Sequence, residues 1–171
     1  MKRPKPFIFD ATPLIYLSKT GISNVLTQFS EEKFTTPEVI EETVNKGKNL
    51  GAPDAFIIEQ LIQQSNTKVK KPSNTAFIKQ LTKMPDLHHG EIQVLALAKE
   101  MKGIAIIDES IARHIADIYN VEVHGTVYLL FRLLFSGKLS KRQVREAEDK
   151  MIGVGWRLTA EEYSRLLKRL E

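Results

Sequence analysis

At 171 residues and 19.5 kDa, the chain has the length of one domain, or of one domain with an appendage. It contains no cysteine, which excludes disulfides, thiolate catalysis and cysteine-type zinc sites and fits a reducing compartment. The net charge of +4 is unevenly spread: residues 1–131 carry 15 basic and 15 acidic side chains, and residues 132–171 carry 10 and 6.

No apolar run approaches the roughly 20 residues of a membrane span. The basic start, Met1 to Pro6, is followed only by Phe7-Ile8-Phe9 before Asp10, too short for a signal-peptide core. A soluble, cytoplasmic protein is expected. Phe7-Ile8-Phe9 reads as a buried strand stopped by Asp10. Leu14 to Lys19 and Ser23 to Phe29 read as short helices broken at Gly21. Lys33 to Thr36 is a second strand, and Thr36 with Pro37 then opens a helix as N-cap and first-turn proline. That helix is expected to end near Asn45, with 46–51 as a loop. Asp54 to Gln64 is a helix opened by Pro53, Thr67 to Lys71 an edge strand, and Asn74 to Lys83 a helix.

Gly90 to Met101 has helical apolar periodicity and is ended by Gly103. Ile104-Ala105-Ile106-Ile107 is a fully apolar strand closed by Asp108-Glu109. A helix over Ser110 to Tyr119, a short strand over Val121 to His124 and a helix over Thr126 to Ser136 follow. Two amphipathic helices, Ser140 to Met151 and Thr159 to Leu170, complete the chain, the last with Thr159 and Glu162 at capping-box spacing. Short continuous apolar strands separated by helices require a parallel sheet covered on both faces. The expected architecture is therefore a three-layer α/β/α sandwich with a central, mostly parallel sheet over residues 1–136. Residues 137–171 form a C-terminal helical extension packed on that domain or on a partner.

Ligands of open parallel sheets collect beyond the carboxyl ends of the strands. Asp10 and Asp108 both follow buried strands, so the two carboxylates share one edge if the strands run parallel. Each also has a plainer explanation, as the N-cap of the next helix. Glu91 stands in the first turn of its helix, where the dipole favours an anion. Glu41 and Glu42 are neighbours, so one of them faces away from the sheet edge. Four carboxylates gathered in one crevice repel one another and need a cation, for which Mg²⁺ or Mn²⁺ is the natural partner. His88 and His89 precede this cluster and are expected as exposed loop histidines, with a role as ligands or phosphate contacts as the alternative. Arg113 lies one helical turn beyond Glu109 and is expected to pair with it. Lys2, Arg3 and Lys5 fall at the opposite edge of the sheet. The apolar residues of 127–134, and Trp156 with Tyr163, Leu166, Leu167 and Leu170, suit packing between helices or an interface.

The ordered set Asp10-Ala-Thr12, Pro37-Glu-Val-Ile-Glu-Glu42, Gly90-Glu91, Ile107-Asp108-Glu109-Ser-Ile-Ala-Arg113 and His124-Gly125-Thr126 resembles the PIN-domain family over nearly the whole chain. More narrowly it is similar to the VapC-type branch, which carries Gly-Thr after the last strand and a C-terminal helical pair. The resemblance implies a Mg²⁺- or Mn²⁺-dependent endoribonuclease that hydrolyses RNA phosphodiester bonds, leaving a 5′-phosphate and a 3′-hydroxyl. It also implies the toxin of a toxin–antitoxin pair, with an antitoxin protein and a second copy of the chain as partners. Asp10, Glu42, Glu91 and Asp108 match the acidic quartet that holds the metal, Glu42 being chosen over Glu41 on its spacing from Pro37. Thr12 matches the hydroxyl that supports the first acid, and Glu109 stands where many relatives have Asp. A catalytically silent scaffold that binds RNA or protein is the alternative. A phosphoacceptor module fits less well, because Asp10 is single and no Lys follows Val123.

Overall fold

A computed structural model of the chain describes residues 3–19, 23–158 and 160–170. Five strands form one sheet in the order β3-β2-β1-β4-β5, with every pair parallel. They are β1 (Phe7–Phe9), β2 (Lys33–Thr35), β3 (Lys68–Val69), β4 (Ile104–Ile106) and β5 (Glu122–His124). The central strands are continuous apolar runs: β1 and β4 are wholly buried, while the edge strand β3 is exposed. That is the pattern of strands covered on both faces. The expected three-layer α/β/α arrangement with a parallel sheet is the fold observed.

The helices are α1 (Ala11–Lys19), α2 (Pro37–Ile40), α3 (Lys46–Asn49), α4 (Pro53–Gln64), α5 (Thr75–Thr82), α6 (His89–Met101), α7 (Ser110–Ile118), α8 (Thr126–Phe135), α9 (Lys141–Gly153) and α10 (Ala160–Leu170). Ser23–Gln28 is a 3₁₀ turn. The centre of the fold is α6, buried on every side from Gly90 to Ala98. A helix apolar all round can only be an internal one, and α6 packs on β1, β4, α2 and α5. Among the described residues no helix is long and apolar enough to cross a membrane.

Several local expectations change. The segment 46–51 is not a loop throughout. A π-helical turn at Glu41–Asn45, closed by the Lys46 N–H donating to the Glu41 carbonyl, hands over to α3. The left-handed residue that stops α6 is Lys102 at φ 51°, not Gly103. Thr36 and Asn74 cap α2 and α5 as their residue types suggest, accepting from the N–H groups of Val39 and Phe77. The proposed break at Gly21 and the proposed cap at Thr159 lie outside the described residues.

The C-terminal helices share the core of the sheet domain. Leu129, Leu130, Phe131 and Leu133 of α8, Val144, Ala147 and Met151 of α9, then Trp156 and Leu166, are buried in one cluster with β1 and β4. The two basic residues described before β1 lie away from the strands' carboxyl ends; Lys5 is held at 2.5 Å by Glu122 at the start of β5.

One polar group in this region conflicts with its surroundings. Glu148 on α9 is only 2% exposed, and its Oε1 has no hydrogen-bond partner among the described residues. Burial, reinforced by the nearby Asp149 charge and opposed by Arg145, pushes its carboxyl up to about 7. As the pH rises from about 4.5 to about 7 the folded protein must keep a proton that the unfolded chain gives up, so stability falls across that window. Every tenfold difference in proton affinity between the two states is worth about 1.4 kcal/mol. Glu148→Leu should therefore raise the denaturation midpoint at pH 8 by several degrees and by much less at pH 4, as read by thermal melts across pH.

Candidate active site

The sheet order reverses at β1, which pairs with β2 on one side and β4 on the other. Such a switch point opens a crevice beyond the carboxyl ends of the strands. The register Phe9↔Ile106 brings Asp10 and the residues after β4 to the same level. The Asp10 N–H extends the ladder by donating to the Ile106 carbonyl at 3.1 Å.

Asp10 is 4% exposed. Burial pushes its carboxyl up to about 7; the Ala11 N–H opposes this, and the charges of Glu91, Glu42 and Asp108 add to it. Glu91, Glu42 and Asp108 are thus near enough for their charges to act on Asp10. Gly90, in the first turn of α6, occupies the space between two of them. A Cβ there would lie 3.4 Å from Glu42 Oε2 and 3.6 Å from Asp10 Oδ1. The two carboxylates thus face one small cradle that a side chain would fill.

The π-helical turn gives Glu41 and Glu42 different neighbours. Glu41 Oε2 accepts from the Asn45 side-chain amide within the turn, at 2.7 Å. Glu42 is the one aimed at Gly90. A π-turn adds a residue to a helical circuit and re-aims the side chains around it, a device common at functional sites.

Glu91 is also 4% exposed, and its Oε2 accepts from the His88 N–H at 2.8 Å. This caps α6, as the dipole reading of Glu91 requires. Burial nevertheless raises the proton affinity of Glu91; the His88 N–H and His88 itself oppose it, and Glu109 and Glu42 add to it. His88 and His89 are exposed, His88 as the N-cap residue of α6.

Asp108 does not cap the helix that follows it; Glu109 holds that N-cap position, without a side-chain hydrogen bond. Asp108 instead reaches across to α8. Its Oδ1 accepts from the Thr126 N–H and its Oδ2 from the Thr126 hydroxyl, both at 2.7 Å. Burial raises its proton affinity, while these two bonds and Arg113 lower it, and Glu109 raises it. Gly125 makes the approach possible: a Cβ there would stand 2.8 Å from Asp108 Oδ1. Thr126 is thus a positioning residue that strand-end reasoning does not single out.

The expected Arg113–Glu109 pair is not formed. Arg113 Nη2 binds Glu162 Oε1 on α10 at 3.0 Å. Glu109 is exposed, and its charge raises the proton affinity of both Glu91 and Asp108. Thr12 sits half-buried in the first turn of α1.

All these donors are carboxylate oxygens, the chemistry that a hard divalent cation takes. The raised proton affinities of Asp10, Glu91 and Asp108 and the Gly90 cradle fit such an ion. Among the described residues, no three His, Asp or Glu side chains stand together as a ready-made metal site. Glu42, Glu91 and Asp108 lie within electrostatic reach of Asp10 rather than meeting it at a point.

A protein-family model described as PIN domain matches residues 6–171. The protein named endoribonuclease Nob1 from Methanocaldococcus jannaschii is 28% identical to the chain over 126 residues, or 71% of this chain. The chain covers 56% of that relative's length.

The two site glycines predict opposite stabilities. Gly90→Ala meets only ordinary van der Waals contacts and gains about 0.5–1 kcal/mol of helix preference, so stability should hold or rise. Gly125→Ala drives the Asp108 carboxylate off Thr126 and should cost about 1–3 kcal/mol. Urea unfolding of both variants measures the difference.

Proposed function

The chain belongs to the PIN-domain family, and from that membership we propose that it is a Mg²⁺- or Mn²⁺-dependent endoribonuclease whose metal is held by Asp10, Glu42, Glu91 and Asp108. The observation that carries this is the Gly90 cradle, faced by Glu42 and Asp10, with the charges of Glu91 and Asp108 also felt at Asp10. The endoribonuclease name of the archaeal relative supports the reaction class. A divalent ion in this crevice would neutralise phosphodiester charge and make a bound water more acidic.

The chain's own residues define the rest. Thr126 ties down both oxygens of Asp108, so that carboxylate enters the crevice in one orientation. Glu91 spends one oxygen on the His88 N–H, which fixes it relative to the α6 backbone. Burial pushes the Asp10 carboxyl up to about 7, so below that pH a proton must leave before it can act as an anionic ligand. Thr12 and Glu109 flank the crevice, and Arg113 favours the ionised form of Asp108.

In this reading, residues 1–136 carry the nuclease core and residues 137–171 a helical extension. The finer role is that of a cytoplasmic toxin, with an antitoxin protein and a second copy of the chain as partners. Support for that role is the similarity of Gly125-Thr126 and of the C-terminal helices to the VapC-type branch. A silent scaffold is favoured by the lack of a ready-made metal site among the described residues. Calorimetry decides between them, since a scaffold would take up no Mn²⁺ at millimolar concentration.

Asp10→Asn and Asp108→Asn should each reduce Mn²⁺-dependent RNA cleavage by about a hundredfold or more while keeping the wild-type circular dichroism. Persistent cleavage in both would remove the quartet from the mechanism. Proton competition at Asp10 sets the pH dependence. Below about 7 its proton must be displaced by the metal, so the apparent Mn²⁺ affinity should climb by roughly fivefold from pH 6 to pH 7 and level off above pH 8. Calorimetric titrations in buffers of different ionisation enthalpy should show about one proton released per metal at pH 6. That release should vanish in Asp10→Asn.

A further inference from the structure

Beside the acidic crevice lies a groove of opposite character. It runs between α8 and α10, over the end of β5, with a volume of about 550 Å³. That is the size of a ligand pocket rather than a packing defect. Five arginines line it, Arg113, Arg132, Arg157, Arg165 and Arg169, against two carboxylates, Asp108 and Glu162. Asp108 is therefore a wall of the groove as well as a member of the crevice.

Two of the arginines are committed to the fold. Arg132 binds Glu31 at 2.6 Å, and Arg113 binds Glu162. Arg157 and Arg169 are exposed, and Arg169 lies over the Phe131 ring at 5.6 Å. Aromatic rings alternate with these cations. His124 and Tyr128 stack at 3.9 Å between centroids, nearly parallel at 8°. Phe135 is 74% exposed at the end of α8, beside Phe131. A large exposed aromatic ring is costly in water unless something covers it.

We propose that this groove binds a single-stranded RNA segment adjoining the bond to be cleaved, with phosphates at Arg157 and Arg169 and an unpaired base against Phe135. The proposal rests on the ribonuclease reading of the crevice and adds to it the strand's path and its unpaired state. Three observations select this occupant. The charge of the lining is strongly positive, which suits a polyanion. The rings offer flat faces, which bases stack on without regard to sequence. The groove opens directly onto Asp108, so its occupant lies next to the reacting centre. A double helix keeps its bases stacked internally and cannot offer one to Phe135.

The test uses the full chain and a fluorescein-labelled single-stranded RNA of about 12 nucleotides, within the span of one binding groove, read by anisotropy in EDTA so that nothing is cut. The Arg157→Ala/Arg169→Ala double variant should bind roughly tenfold more weakly and with a shallower salt dependence. Phe135→Ala should bind roughly fivefold or more weakly, with little change in salt dependence. Lys79→Ala/Lys83→Ala, in the last turn of α5 and just after it and outside the groove lining, should bind as the wild type does. With Mn²⁺, the groove variants should raise KM and leave kcat within about twofold.

If the wild type cuts RNA and the groove variants match it in both affinity and KM, the groove assignment falls and the nuclease reading stands. If the wild type binds RNA through the groove but cuts none with Mn²⁺, the nuclease reading falls and the RNA groove stands. If oligoglutamate of matched charge displaces the RNA and Phe135→Ala binds RNA normally, the groove is one for an acidic protein segment and the proposal is overturned.

Discussion

Burial of like charge is the constraint from which the rest of this structure follows. Asp10 and Glu91 are each 4% exposed, and Asp108 stands beside them. An isolated carboxylate taken from water is expensive, and several together are worse. The fold offsets part of this with donors of its own: the Ala11 N–H at Asp10, the His88 N–H at Glu91, and the N–H and hydroxyl of Thr126 at Asp108. Each donor belongs to the start of a helix, where backbone N–H groups have no intrahelical acceptor. Helix beginnings and strand ends thus satisfy one another. Even so, the proton affinity of all three acids stays above its ordinary level. The remaining deficit is one that a cation could remove and that none of the described side chains removes.

The same constraint explains the glycines around the crevice. A carboxylate needs room for its oxygens and for whatever neutralises them. At Gly90 a Cβ would occupy the space that Glu42 and Asp10 face, and at Gly125 it would collide with Asp108. The first position is permissive for folding and restrictive for the crevice. The second restricts folding itself, because the Asp108–Thr126 bonds join the end of β4 to α8.

How much of this could be read from the sequence depends on the range of the interaction. Apolar runs closed by Asp10 and by Asp108 indicate strands with acids at one edge, because burial and termination are local properties. The parallel order and the three layers follow from strands lacking alternation. Glu91 is legible from its place in a first turn. Glu42 is less so: its spacing from Pro37 singles it out only through the family resemblance, and no residue pattern announces the π-turn that gives it and Glu41 different neighbours. The partner of Asp108 is 18 residues away. The partner of Arg113 is 49 away, on α10, so a search within one helical turn finds Glu109 instead. Capping logic fails at Asp108 for the same reason: a distant helix competes for the carboxylate and wins it.

The uneven charge of the chain takes on a spatial meaning through that long-range placement. The basic surplus lies in residues 132–171, and four arginines from this stretch, Arg132, Arg157, Arg165 and Arg169, converge on the groove beside the crevice. Others do not: Arg142 is spent on an exposed pair with Glu146, of the kind that contributes little. Arg113 stands at the boundary. It comes from the neutral part of the chain, is bound to Glu162 of the basic part and favours the ionised form of Asp108. The position of α10 is therefore tied electrostatically to a carboxylate of the crevice. A positive groove and a negative crevice that share one wall set up a steep gradient between them. A polyanion would be attracted by one side and repelled by the other until a cation entered the crevice. Strand binding and metal binding are in that sense complementary demands on a single edge of the sheet.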